Sequence, residues 1–271
     1  MAVGIQTDTQ TQHDGNESLV RFDIHQRIQH ILMLTSFTML AITGLPQKFN
    51  TWSLSQWWVN LLGGIDMVRD LHHFFAFVML GDGVYHGLYL FVRSVILKHP
   101  FPISMIPTPK DFQDAIQDFR HFVGLSREEP KFDRFNWREK FDYWAVFWGV
   151  PVLGASGLIL MFPEQASRIL PGIAIPVALI AHSDEAFLAV AWIFGVHLFF
   201  VHLPPNVFPL NKSIFTGRIS KARLQKEHPL EWEKIQASQR DVDQEAGTPS
   251  SGTAEELAPK RQAREAEKGE Q

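Results

Sequence analysis

The sequence predicts an all-α fold: an integral membrane four-helix bundle with cytoplasmic termini and a disordered C-terminal tail. Three observations carry this expectation. Four apolar segments lie between about residues 28 and 204, each close to the ~20 residues that cross a bilayer. Lys and Arg crowd two of the connecting stretches and are scarce in the other two. Beyond about residue 235 the chain is almost purely polar. A length of 271 residues would allow one or two soluble domains, but the long apolar runs decide against that.

Residues 1–20 read as a polar N-terminal segment. MAVGIQTDTQTQHDGNES has no apolar core of the signal-peptide kind, so the first spanning helix is expected to direct insertion. The spanning domain is expected over 21–218. Its first segment covers 28–45 and should stop at Pro46, which cannot donate within a helix. TWSLSQWWVNLLGG (51–64) follows, and its Trp52, Trp57 and Trp58 suit a membrane interface. The second segment covers about 71–92 and the third about 141–162. ILPGIAIPVALIA, broken by Pro171 and Pro176, reads as an interfacial or re-entrant piece and not a fifth span. The fourth segment covers about 182–203 and closes at Pro204 and Pro205. Between the second and third spans, PKDFQDAIQDFRHFV (109–123) places Phe112, Ile116 and Phe119 at i, i+4 and i+7, an amphipathic helix. Residues 219–271 form a polar tail whose composition predicts disorder after about 240.

Charge sets the expected orientation. The 94–140 stretch carries eight Lys or Arg, and 204–226 carries five. The opposite loops hold only Lys48 and Arg69 in one and Arg168 in the other. The positive-inside rule therefore places both termini and the long middle loop in the cytoplasm. There is no cysteine, which excludes disulfides, iron–sulfur ligation by this chain and covalent c-type haem attachment. Nothing in the sequence points to nucleic acid.

The histidines carry the chemistry. His72 and His86 stand fourteen residues apart in the second span, and His182 and His197 fifteen apart in the fourth. At about 100° per residue both spacings return to nearly the same helix face, roughly 20 Å along the axis. Imidazole inside a membrane marks function by default. Two facing helices with histidines at two depths could hold two haems stacked across a bilayer. A zinc or iron centre would instead need its ligands clustered at one depth. His72 and His182 begin their segments on the outer side, whereas His30, His86, His197 and His202 lie toward the inner one. The glycines Gly81, Gly83, Gly87, Gly149, Gly154 and Gly157 could make room for a flat macrocycle or for close helix packing. His73 is read as a non-ligand, and His13, His99, His121 and His228 as solvated.

Four motifs, in order, resemble the four-helix membrane cytochrome b family, which includes bacterial cytochrome b561 and the haem-b gamma subunits of formate dehydrogenases and thiosulfate reductases. They are RFDIHQRIQHILMLTSFTMLAITGLP, LHHFFAFVMLGDGVYH, FDRFNWREKFDYWAVFWGVPVLGASGLILMFP and HSDEAFLAVAWIFGVHLFFVHLPPNVFPLN, covering about 20–218. The resemblance implies haem b on His72 and His182 at the outer depth and on His30 and His197 at the inner one. Spacing alone would instead pair His86 with His197, and His30 with His202 could hold a third haem. Two haems b, or three, are thus expected.

The resemblance further implies electron transfer between a quinone pool and a redox partner outside the cytoplasm, such as a multihaem cytochrome c or an iron–sulfur protein, in a bacterial inner membrane. No catalytic machinery is seen, so the chain reads as a subunit of an oxidoreductase complex. Asp82, His86 and His202 are candidates for quinone and proton chemistry. Arg21, Arg27, Arg134 and Arg138 are candidates for inner haem propionates. Asp184 and Glu185 lie at the outer surface beside His182. Two other readings stay open: a free-standing b561-type quinol oxidoreductase, and a haem-free anchor or transporter.

Overall fold

The computed structural model describes residues 17–205 and 207–247. A short strand, β1 (Ser18–Val20), precedes the first span, α1 (Ile24–Lys48). Asp23 caps α1: its side chain accepts from the Gln26 N–H, and the Gln26 side chain accepts from the Asp23 N–H. This reciprocal cap is legible as D-x-x-Q. Contrary to expectation, Pro46 does not end the helix but sits within its last turn. Proline leaves the carbonyl four residues earlier without its helical donor. That carbonyl, Ile42, takes the indole N–H of Trp58 at 3.2 Å instead.

Trp58 lies on α2 (Ser53–Leu61), a short helix beside the end of α1, with Trp52, Leu54, Trp57 and Leu61 exposed. The second span, α3 (Ile65–Phe91), runs back and finishes in a π-turn (Val92–Ile96). The amphipathic stretch is α4 (Pro109–Phe122), capped by Thr108 and Asp111. Its polar side is pinned to the third span, α5 (Trp137–Met161), by Lys140–Asp111 and Arg138–Asp118 ion pairs. Burial pushes the Asp111 carboxyl up, but hydrogen bonds from Lys140 and Thr108 outweigh it and hold the group below its ordinary value. Asn136 and Glu139 repeat the reciprocal cap at the start of α5.

After α6 (Pro163–Ser167), the fourth span begins earlier than the sequence suggests. It comprises α7 (Ala174–Trp192), a π-turn (Ile193–His197) and α8 (Leu198–His202). The segment read as interfacial is thus in part the opening of this helix, because Pro176 falls in its first turn, where no intrahelical donor is needed. His72 and His182 consequently lie not at the helix starts but seven and eight residues inside them, roughly 10–12 Å deep.

All four spans are long and apolar enough to cross a membrane. Large apolar side chains point outward from them, Phe74, Phe77, Val84, Leu88, Trp148 and Leu188 among them. The interior is small and unusually polar: Ala41, Val68, Met79 and Ala178 share it with Gln29, Ser36, Thr43, Asp82 and Ser156. The pairs α1/α3 and α5/α7 pack most closely, and α3/α5 and α1/α7 complete the ring. α3 and α7 are therefore diagonal across the centre.

Beyond the spans come α9 (Ser213–Thr216), β2 (Arg218–Ser220), α10 (Lys221–Glu227) and α11 (Pro229–Gly247). β2 pairs antiparallel with β1, Leu19 opposite Ile219. The N-terminal segment is therefore tied down before residue 20, and helix continues past 240, where composition suggested disorder. Residues 1–16, with His13, and 248–271 lie outside the described residues.

One ionic cluster locks this end of the bundle. Arg21, 4 % exposed, donates to Glu231 at 2.5 Å, and Arg134 reaches the other Glu231 oxygen at 2.8 Å. His228, expected to be solvated, is also 4 % exposed. Its Nδ1–H donates to the Asp133 carbonyl at 2.7 Å, and its Nε2 lies 3.2 Å from an Arg21 nitrogen. Burial, then the Arg21 guanidinium, hold its pKa below the ordinary 6.5. A neutral imidazole is thus favoured in the folded state. Its contribution is complete above pH 6.5 and is lost as pH falls below that through the lower folded value. Protection of the α10 and α11 amides, taken relative to their intrinsic exchange rates at each pH, should accordingly fall on acidification below pH 6.5. In His228→Gln this pH dependence should flatten; an unchanged profile would show that other groups control the cluster.

Candidate functional site

The bundle centre brings together histidines from diagonal helices. The rings of His72 on α3 and His182 on α7 have centroids 6.2 Å apart. Two imidazoles on opposite sides of one metal ion, with metal–nitrogen bonds of about 2.0–2.1 Å as at zinc, have that spacing.

Hydrogen-bond partners decide which ring nitrogen is available. Thr43 Oγ1 donates to the Met39 carbonyl at 2.7 Å, so it can only accept from His72 Nδ1, at 2.9 Å. The Leu153 carbonyl, acceptor only, lies 3.1 Å from His182 Nδ1. Ser156, whose hydroxyl donates to Val152 at 2.6 Å, lies 3.2 Å from the same nitrogen. Both rings are therefore fixed as Nδ1–H, with the Nε2 lone pair free, as metal-ligating histidines require. The arrangement is twofold-like: Thr43-Gly44 on α1 supports one ring and Ser156-Gly157 on α5 the other. A Cβ added at Gly44 would meet His72 Cε1 at 3.1 Å, and one at Gly157 would meet His182 Cε1 at 3.1 Å. Gly157→Ala should push His182 off its Leu153 and Ser156 partners. The effect expected is a roughly 10–100-fold loss of metal-group affinity at this depth, the size typical of lost supporting contacts, read by titrating the cofactor back into stripped protein. Unchanged affinity would mean that the ring needs no such support.

Toward the end of the bundle that carries the basic loops, His197 Nδ1 donates to Asp142 on α5 at 2.7 Å, again freeing Nε2. The other Asp142 oxygen takes the Trp192 indole N–H at 2.6 Å. Residues five apart diverge in an α-helix but share a face in a π-turn. The Ile193–His197 π-turn is what lets one carboxylate hold both. His30 on α1 lies within electrostatic range of His197 and His202. Its Nδ1 is buried and has no partner among the described residues.

The remaining candidates are engaged otherwise. His86 is not brought to His197. Its Nδ1 meets Gln29 Oε1 at 2.9 Å and its Nε2 meets the Tyr143 hydroxyl at 3.0 Å, leaving no nitrogen for a metal. These bonds give no support to the His86–His197 pairing that helical spacing alone suggested. Spacing gives direction on one helix but says nothing of which neighbour claims the ring. His202 Nδ1 accepts from the Asn211 N–H at 3.1 Å, which puts its proton on Nε2, the wrong tautomer for ligation there. Asp82 is buried, and its Oδ1 has no partner among the described residues.

The four arginines considered for propionates have protein partners: Arg21 and Arg134 share Glu231, Arg27 donates to the Phe215 carbonyl, and Arg138 pairs with Asp118. Asp184 anchors Lys48 at 2.7 Å, joining α7 to the end of α1. Of the glycines, Gly154 serves close packing against Leu80 and Gly157 borders His182. Gly81 and Gly87 have open space about them.

Sequence reasoning missed Thr43, Gly44, Asp142, Gln29, Tyr143 and Ser156. The repeated hydroxyl–glycine pair in spans one and three was a signal for Thr43 and Ser156, and a carboxylate inside an apolar span was one for Asp142. The donor set fits haem b: the His72 and His182 rings face each other, and the protein turns Nδ1 of His72, His182 and His197 to an acceptor and leaves Nε2 available.

The chain as a whole is similar to known proteins. A family model described as prokaryotic cytochrome b561 matches residues 21–208. The cytochrome b556(fdo) subunit of formate dehydrogenase from Escherichia coli K12 is 24% identical over 221 residues, 81% of this chain and 94% of the relative. The same subunit from the O6:H1 and O157:H7 strains matches equally.

Proposed function

Given that this chain belongs to the prokaryotic cytochrome b561 family, we propose that it is the membrane cytochrome b subunit of a respiratory redox complex, passing electrons across the bilayer between a quinone pool and a redox partner on the non-cytoplasmic side. One observation carries this reading: His72, His182 and His197 each turn Nδ1 to an acceptor on a neighbouring helix, which leaves Nε2 as the nitrogen available to a metal group, and they do so at two depths. His72 and His182 would hold the outer haem b, and His30 and His197 the inner one. Haem b held by these imidazoles would supply a one-electron carrier.

The chain's own residues do the rest. Thr43 and the Leu153 carbonyl hold the outer Nδ1 protons. Asp142 holds the inner one and fixes the orientation of the His197 ring. The charge asymmetry supports an orientation in a bacterial inner membrane with both termini and the basic loops cytoplasmic. On this orientation the quinone would meet the inner side, where Asp82, His86 and His202 can handle protons. The relatives are named as formate dehydrogenase subunits, which supports a catalytic partner on another chain, docked at the outer end near His72 and His182.

The test is a haemochrome assay on the purified full chain, followed by anaerobic reduction with a short-chain quinol. Two haems b, both reduced by quinol, are expected. A chain without haem would overturn the reading. Haem that only a non-quinone reductant reduces would overturn the quinone part.

A further inference from the structure

α3 and the π-turn that follows it carry a polar stripe that electron transfer does not require. Asp82, His86, Tyr89 and Arg93 follow at spacings of four, three and four, so they share one helix face. At the basic end of the bundle, the Tyr89 hydroxyl donates to Asp23 at 2.6 Å, and Arg93 donates to Tyr89 at 2.7 Å and to Asp23 at 3.3 Å. His25 of α1 stands beside them, its ring 5.4 Å from that of Tyr89 and its Nδ1 2.7 Å from the Tyr85 hydroxyl. One turn further in, about 5.4 Å, Gln29, His86 and Tyr143 form a second layer that joins α1, α3 and α5. A further turn in lies Asp82.

The two deepest members carry unsatisfied atoms. Asp82 is 4 % and Gln29 8 % exposed, and Asp82 Oδ1 and Gln29 Nε2 lack partners among the described residues. A buried polar atom without a partner is costly, and an ionisable side chain within a span is rare unless it serves a pathway. Here the exception sits at the deep end of a series of hydroxyl, imidazole and carboxyl groups, stacked about one helical turn apart, that begins at the surface. Water bridging the one-turn gaps would have the several polar partners it needs.

We propose that Asp82 is a proton-loading site inside the membrane, filled from the cytoplasmic side along Asp23/Tyr89, His25/Tyr85 and His86/Tyr143 when the bundle is reduced. The inference rests on the proposed function for its orientation and its electron carrier. Each event is balanced: the electron comes from the reductant and stays on the haem, and one proton passes from water to the Asp82 carboxylate, which becomes a neutral acid. No electron passes through Asp82 and no other bond changes. His86 and Tyr143 are positioning and relay groups, and Asp82 alone keeps the proton.

Reduced-minus-oxidised infrared spectra of the full haem-loaded chain, free of quinone and reduced with dithionite, test this. Haem content is measured first, so a failed haem reading shows as absent haem and not as a missing proton. The expected result is a protonated-carboxyl C=O band that shifts in D2O, disappears in Asp82→Asn and returns displaced in Asp82→Glu. If Asp82→Asn does not accumulate, His86→Phe serves: the band should still form, but proton uptake followed with a pH-sensitive dye should slow by about 10²-fold or more, the usual effect of losing a placed proton carrier. No such band in haem-replete protein, or an unchanged band in Asp82→Asn, overturns the proposal, as does unaltered uptake kinetics in His86→Phe.

Discussion

Replacing His182 by alanine is expected to remove one haem b and to leave the other in place, cutting the reduced-state absorbance per chain to about half. His72→Ala should do the same, and the double variant no more than either alone. Residues that act as one unit are strongly non-additive. The expectation follows from the 6.2 Å separation of the two rings and from their matched supports on α1 and α5. The inner pair should be spared, since His197 depends on Asp142 and not on the outer rings. Haemochrome quantitation with low-temperature spectra checks each point. Two haems in the double variant would refute the outer pair outright.

The second large effect concerns the π-turn. Inserting one alanine after Ala189 should turn His197 by about 100° away from Asp142 and His30, abolishing the inner haem while His182 keeps the outer one. Deleting Gly195, within the π-turn, should have the opposite outcome. The turn already accommodates one residue more than an α-helix would, so the deletion can relax to regular helix with His197 facing as before. Haem counts for the two variants decide it. Loss of the inner haem on deletion, or its survival on insertion, would show that the π-turn does not orient His197. A milder companion is Asp142→Asn, which would still accept from His197 but without charge.

Much of this was legible in the chain itself. The four spans followed from apolar runs because a bilayer demands helices of fixed length whatever their neighbours. Helix caps at Asp23, Thr108 and Asn136 are local chemistry, decided within four residues. The amphipathic helix 109–122 followed from periodicity, whereas the exposure of its Phe112, Ile116 and Phe119 did not. Helix ends at proline were read too strictly. Pro46 and Pro176 sit within helices because Trp58 satisfies the carbonyl freed by one and the first turn excuses the other.

The histidines show where sequence stops. Residue type and spacing in one helix place His72, His86, His182 and His197 on inward faces, because 3.6 residues per turn is a property of the backbone alone. Which ring nitrogen is free, and which ring is already taken, depends on Thr43, Leu153, Asp142, Gln29 and Tyr143, all from other helices. His228 makes the same point: a polar residue in a polar stretch becomes buried only because β1, the loop before α5 and α11 converge on it. Fold class, span number and charge asymmetry were determined by the sequence because they arise from the contact of each segment with its solvent. The separation of ligand from relay among chemically identical side chains was decided by tertiary structure, because a hydrogen bond needs a partner brought within about 3 Å.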